Sequence, residues 1–156
     1  MARFLVDKEI DEVYARGEAL HDIEISKAGD IDTAVITMKY VDSTIAIIDN
    51  SRKAVYGYDQ RIEVFGTQGM IQVDNLKADN NTLFDKSGIK SSLPLNFFLE
   101  RYQNAYKSEI NNFVNSVIKN KPISVSAYDG MKSLQIALAA KKSLKENRPV
   151  KISEIN

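Results

Sequence analysis

The sequence predicts an α+β fold: an open, mainly antiparallel or mixed β-sheet with helices packed on one face and the other face available for oligomerisation. Three observations predict it. Apolar residues alternate with period two over much of the chain before residue 74, short turns rich in Gly, Asp and Ser separate those runs, and after Pro94 the period changes to three or four. Strands first and helices last describe one sheet carrying a helical layer rather than alternating strand-helix units.

"MARFLV" reads as the last turn or two of an amphipathic helix with no capping residue before it. "EIDEVYARGEAL" is weakly strand-like through Ile10, Val13 and Ala15, and "HDIEISKAGD" reads as a polar connection containing Gly29. From Thr33, Ala34, Ile36, Met38 and Tyr40 alternate with Val35, Thr37, Lys39 and Val41. After Asp42 and Ser43, "TIAIID" completes a hairpin. In "SRKAVYGYDQRIEVFGTQGM", Tyr56 and Tyr58 are expected on one strand face, and "GTQG" turns the chain back into "MIQVD". Residues 74–94 are rich in Asn, Asp and Ser, with one short edge strand expected around Leu83 and Phe84. Phe98, Tyr102, Ala105, Tyr106, Ile110, Phe113 and Val117 then form one helical stripe. Beyond Pro122 and a β-like "ISV", Ser126 and Asp129 resemble a capping box opening a second helix. Leu134, Ala137, Leu138 and Leu144 mark its expected buried face, and "VKIS" is a possible last strand.

Of 156 residues, 44% are hydrophobic and 27% charged, a composition able to bury a core as one domain. Lys plus Arg and Asp plus Glu both number 21, so no excess positive charge exists to grip nucleic acid or an anionic membrane, and neither partner is expected. With no cysteine, no signal-like run and no membrane-length apolar stretch, the expected location is cytoplasmic. "AVITMKY" and "TIAIID" would leave Val, Ile and Thr on the uncovered sheet face, so a homo-oligomer through that face is expected. Closure by residues 74–94 is the alternative.

Overt chemistry is sparse. Gly66 and Gly69 lie between strands rather than between a strand and a helix, so no dinucleotide fingerprint is present and no cofactor is expected to bind this chain. His21 beside Asp22 suggests an acid-base pair, yet its surroundings read as loop. Asp30 and Asp32 could offer oxygens to a divalent cation, but no third ligand stands at useful spacing and no metal is expected. On spacing alone, Tyr56 and Tyr58 read as half-buried aromatics.

"DNSRKAVYGYDQRIEVFGTQGMIQVDN" resembles the strand signature of the inositol-type members of the glucose-fructose oxidoreductase and inositol dehydrogenase family. "MARFL", "AGDIDTAVITMKY", "RYQNAYKSEINNFVNSV" and "YDGMKSLQIALAAKKSL" occur in the family's order, so the resemblance covers essentially the whole chain. It implies an enzyme with an N-terminal Rossmann domain for NAD or NADP and a C-terminal α+β domain whose open sheet forms oligomers. Residues 1–156 match the second domain only. The family's catalytic Asp, His and Lys would precede Met1, so the resemblance implies no catalytic residue here; "HDIE" at His21 matches a variable loop. The chain is accordingly expected to be a fragment, inactive alone. Tyr58 matches a family position whose hydroxyl reaches the inositol ring, and Asn50, Arg52 and Asp59 are expected to line or brace the same edge of a polyol or sugar pocket. The alternative is a stand-alone oligomerisation or polyol-binding module without catalysis.

Overall fold

The computed structural model describes residues 1–155. The chain divides into two compact units, Met1–Lys53 with Val125 onward, and Ala54–Ser124. The first unit holds a four-stranded antiparallel sheet in the order β3-β2-β1-β8, formed by β1 (Ile10–Glu18), β2 (Thr33–Tyr40), β3 (Ile45–Ser51) and β8 (Val150–Lys151). It also contains α1 (Ala2–Val6), α2 (Ile23–Lys27) and α4 (Ala127–Glu146). The second unit holds two hairpins, β4–β5 (Ile62–Gly66, Gly69–Val73) and β6–β7 (Thr82–Asp85, Gly88–Ser91), and the helix α3 (Phe98–Ile118).

In the first unit, period two does the sorting. Val13 pairs with Met38 and Ala15 with Ile36 on one face, while Tyr14 pairs with Thr37 and Arg16 with Val35 on the other. The first face meets α4. Ile10, Val13, Ala15, Met38, Tyr40, Ala139, Ala140 and Val150 form the buried core, each large member contributing about 1.5–3 kcal/mol through apolar burial.

The buried face of α4 differs from the expected one. Leu134 and Leu138 are exposed (59% and 42%), and Ala139, Ala140 and Ser143 are buried instead, with Ile136 and Leu144 partly buried against the core. Apolar residues lie on more than one side of this helix, and where it crosses β1 the close approach selects small side chains over leucines. The capping box forms as expected: Ser126 Oγ accepts from Asp129 N, and the Asp129 carboxylate accepts from Ser126 N. Arg3 pairs with Glu9 and Asp129, tying α1 to the start of α4.

Three local expectations are corrected. "HDIEISKAGD" contains the short helix α2, capped by Asp22 accepting from Glu24 N at 2.9 Å. Residues 74–94 carry a hairpin rather than one strand, because Asp85 takes the Ser87 N–H at 2.7 Å and Gly88 supplies a φ of 125° for the turn. "ISV" at 123–125 is irregular, without a strand partner.

Asp32 organises the loop between β1 and β2. It is 3% exposed, and its carboxylate accepts the backbone N–H groups of Leu20, His21 and Asp22 at 3.0, 2.8 and 3.1 Å and the Thr33 hydroxyl at 2.8 Å. Burial opposes its ionisation, yet these donors outweigh that and hold its pKa well below the usual carboxylate range. Asp32 is thus a structural anchor for the His21 segment. Among the described residues no group of three or more His, Cys, Asp or Glu is placed to hold a metal, and no helix is long and apolar enough to cross a membrane. Gly17 is needed nearby, since a Cβ there would lie 2.6 Å from Ile31 Cδ1 and 2.8 Å from Thr33 O.

Ser143 joins helix to sheet. Fully buried, it accepts the Ala15 N–H at 3.0 Å and donates to Arg148 O at 2.6 Å. Ser143→Ala strands a buried donor and its acceptor, and is expected to cost about 1–3 kcal/mol in urea unfolding of the chain; an unchanged midpoint would count against this anchor.

Candidate functional site

Residues 54–61 are not a strand. The chain turns at Val55–Gly57, Gly57 adopts a φ of 135°, and the Tyr58 N–H goes to Leu95 O at 2.8 Å instead of to a sheet ladder. Any side chain at position 57 would bring its Cβ within 2.7 Å of Pro94 O, so both the dihedral and the close approach require glycine. Tyr56 and Tyr58 therefore do not share a strand face: the Tyr56 hydroxyl donates to the Asp59 carboxylate, while the Tyr58 ring packs edge-on against Tyr102 of α3 with centroids 5.6 Å apart at 80°.

The four expected site residues fall in both units. Tyr58 and Asp59 belong to the second, where both are half-buried. Asn50 and Arg52 belong to the first: Asn50 lies opposite Ala34 near the end of β3, and the Arg52 N–H donates to Asp32 O at 2.8 Å. Both are exposed.

Around Asp59 the second unit builds a closed set of polar contacts. Arg61 donates to both carboxylate oxygens, Nε to Oδ1 at 2.9 Å and Nη2 to Oδ2 at 3.0 Å. Asn75 Nδ2 donates to Oδ1 at 2.7 Å, and Tyr56 completes the set at Oδ2. Asn75 also accepts the Gln60 N–H at 2.7 Å, and Gln60 Oε1 accepts the Tyr102 hydroxyl at 2.6 Å. With Arg61, Tyr56 and Asn75 stabilising the charged form, the Asp59 pKa is lowered to about 2. The Tyr102 phenol is pushed the other way, by its burial and by the neighbouring Tyr58.

Sequence reasoning missed Gln60, Asn75 and Tyr102. Tyr102 matches the apolar stripe of α3, Asn75 sits in a run of turn residues, and no spacing rule links either to position 59. The available signal was chemical: a carboxylate beside an arginine and two tyrosines needs a second shell of donors to order it.

Gly66 and Gly69 pair across the β4–β5 hairpin, and the N-terminus of α4 is already filled by the Asp129 carboxylate, which would repel a diphosphate. What the second unit offers is suited to a neutral polar ligand: an aromatic face and a phenol at Tyr58, on an edge whose charges are internally paired.

The chain belongs to the oxidoreductase family as its C-terminal alpha/beta domain, whose profile matches residues 1–152. It is 48% identical over 155 residues to a myo-inositol 2-dehydrogenase of Thermotoga maritima, covering 99% of this chain and 46% of that protein. The crystal structure of a probable dehydrogenase from Thermotoga maritima superposes with a TM-score of 0.97 at 47% identity, over 99% of this chain and 46% of the other. A scyllo-inositol dehydrogenase from Lactobacillus casei, solved with bound NAD(H) and scyllo-inositol, gives a TM-score of 0.89 at 31% identity, over 97% of this chain and 45% of that one. The chain thus spans about half the length of the curated relatives it matches.

The lowered pKa of Asp59 fixes the sign of its pH response. Its contribution is complete above the ordinary value of 3.8 and is lost as the pH falls through about 2. A carbon-13 carboxyl titration of the chain is expected to place the Asp59 midpoint near 2; a midpoint at the ordinary value would mean that the contacts from Arg61, Tyr56 and Asn75 do not persist in solution.

Proposed function

We propose that this chain is the C-terminal substrate-binding and oligomerisation half of an NAD(P)-dependent inositol dehydrogenase. On this reading residues 1–156 form that domain, and a Rossmann domain outside them holds the cofactor. The observation that carries it is the 48% identity along nearly the whole chain to a myo-inositol 2-dehydrogenase, joined to a Tyr58 edge whose chemistry suits a polyol. The Tyr58 ring offers an apolar surface to the C–H face of a cyclitol while its hydroxyl exchanges a hydrogen bond with a ring hydroxyl. Asp59 braces this edge rather than touching the ligand, since four donors already saturate its oxygens. Asn50 and Arg52, both exposed in the first unit, are proposed as substrate-contacting residues on the strength of the family resemblance alone.

None of these residues takes a proton from an alcohol or accepts a hydride, so their part is to bind and orient. The nicotinamide supplies hydride acceptance when bound, and the cofactor and proton-handling groups are assigned to the other half. Alone, the 156-residue chain is expected to show no inositol-dependent NAD reduction. In the complete enzyme, Tyr58→Phe removes one hydrogen bond of about 1 kcal/mol net, so KM for myo-inositol should rise roughly fivefold. Turnover by the chain alone, or an unchanged KM in the variant, would defeat this reading.

Self-association is assigned to the sheet face opposite α4. There Val35, Ile45 and Ile47 are 48%, 69% and 65% exposed, in register with Tyr14, Arg16, Thr37 and Lys39. An apolar band interleaved with polar and cationic side chains is a surface that a second copy could cover. Light scattering at micromolar concentration should report an oligomer for the wild-type chain and a monomer for Ile47→Asp; a monomeric wild type, or an oligomeric variant, would contradict the assignment.

A further inference from the structure

The reading of Tyr58 as a polyol contact leaves open what holds its ring in place, and the second unit supplies a continuous answer. Tyr58 has one backbone tether, its N–H to Leu95 O at 2.8 Å, and Leu95 in turn donates to Leu76 O at 2.9 Å. Neither bond fixes the side chain. Its ring is instead met edge-on by Tyr102, 5.6 Å away at 80°. Tyr102 is itself held at both ends: α3 carries its backbone, and its hydroxyl donates to Gln60 Oε1 at 2.6 Å. The Gln60 backbone N–H is fixed by Asn75 Oδ1 at 2.7 Å, and Asn75 Nδ2 by Asp59 Oδ1 at 2.7 Å. The path begins at the Arg61–Asp59 ion pair and ends at the Tyr58 ring.

We propose that Tyr102 is a positioning residue for the polyol site, holding the Tyr58 ring through edge-to-face packing while its own hydroxyl is locked by Gln60, Asn75 and Asp59. This rests on the proposed role of Tyr58. It assigns Tyr102, Gln60 and Asn75 a task that the apolar periodicity of α3 and the turn composition of residues 74–81 do not suggest. Tyr106 also meets the Tyr102 ring edge-on, centroids 6.1 Å apart at 68°, without joining the polar path.

Tyr102→Phe tests this because it keeps the edge-to-face ring contact and removes the hydroxyl that Gln60 holds. The first measurement uses the 156-residue chain with carbon-13-labelled tyrosine and follows the Tyr58 ring resonances. Tyr102→Phe and Gln60→Leu should each shift or broaden them, and the double variant should add nothing further, because both cut the same link. Tyr106→Phe, which leaves the Gln60 bond intact, should not. Unmoved Tyr58 signals in Tyr102→Phe, or additive changes in the double variant, overturn the proposal.

The second measurement uses the complete enzyme with myo-inositol. A residue that positions a binding group raises KM with little change in kcat, so Tyr102→Phe should raise KM about threefold to tenfold and add little in a Tyr58→Phe background. A fall in kcat at constant KM, or full additivity with Tyr58→Phe, overturns the proposal. If the resonances behave as expected while Tyr58→Phe leaves KM unchanged, the polyol role of Tyr58 fails and the positioning of its ring stands. If Tyr58→Phe raises KM but the resonances do not move, the reverse holds.

Discussion

Irregular backbone leaves N–H groups without partners, and in this chain Asp32 and Asp129 supply acceptors where the regular ladders stop, while Asp59 orders side chains. Asp32 collects three successive N–H groups of the 20–22 loop, Asp129 closes the N-terminus of α4 and pairs with Arg3, and Asp59 gathers Arg61, Tyr56 and Asn75. In each case a carboxylate is held in its charged form by several donors at once, and each pKa is lowered accordingly. Convergent charge-assisted hydrogen bonds give such sites more geometric definition than isolated surface ion pairs provide. Without the Asp59 set, the segment carrying Tyr58 would keep its backbone bond to Leu95 O and its contacts with Tyr102, but lose the order that Asp59 gives to Tyr56, Arg61 and Asn75.

This explains which parts of the fold could be read from the sequence. The β2–β3 and β4–β5 hairpins, the capping box at Ser126 and the span of α3 follow from local chemistry, namely period two, turn residues, Ser and Asp three apart, and period 3.6. What escaped was decided by contacts distant in sequence. Tyr56 and Tyr58 lie in a β-prone run, but Gly57 breaks it and position 58 finds its partner at 95. Leu134 and Leu138 have the spacing of a buried stripe, yet the sheet takes Ala139, Ala140 and Ser143, whose hydroxyl reaches the Ala15 N–H at 3.0 Å. The candidate site divides the same way. Tyr58 and Asp59 were identified through a motif, whereas Tyr102, Gln60 and Asn75 needed coordinates, since nothing in spacing ties positions 60, 75 and 102 together.

The described residues of the second unit provide an aromatic face, a phenol and an ordered brace, chemistry that suits an uncharged polar ligand, while the N-terminus of α4 in the first unit is occupied by the chain's own carboxylate. Binding energy gathered at a site of this kind serves catalysis by orienting a substrate toward groups held elsewhere. The relatives, about twice as long as this chain, are consistent with that division of labour.

The central claim is that Tyr58 meets the polyol while Asp59 only supports it. A crystal structure of the complete enzyme with myo-inositol or scyllo-inositol bound tests this directly. The account predicts a ring hydroxyl of the ligand within hydrogen-bond distance of the Tyr58 hydroxyl, with the Asp59 carboxylate still engaged by Arg61, Tyr56 and Asn75 and out of reach of the ligand. A cyclitol bound through Asp59, or seated with no contact to Tyr58, would contradict it.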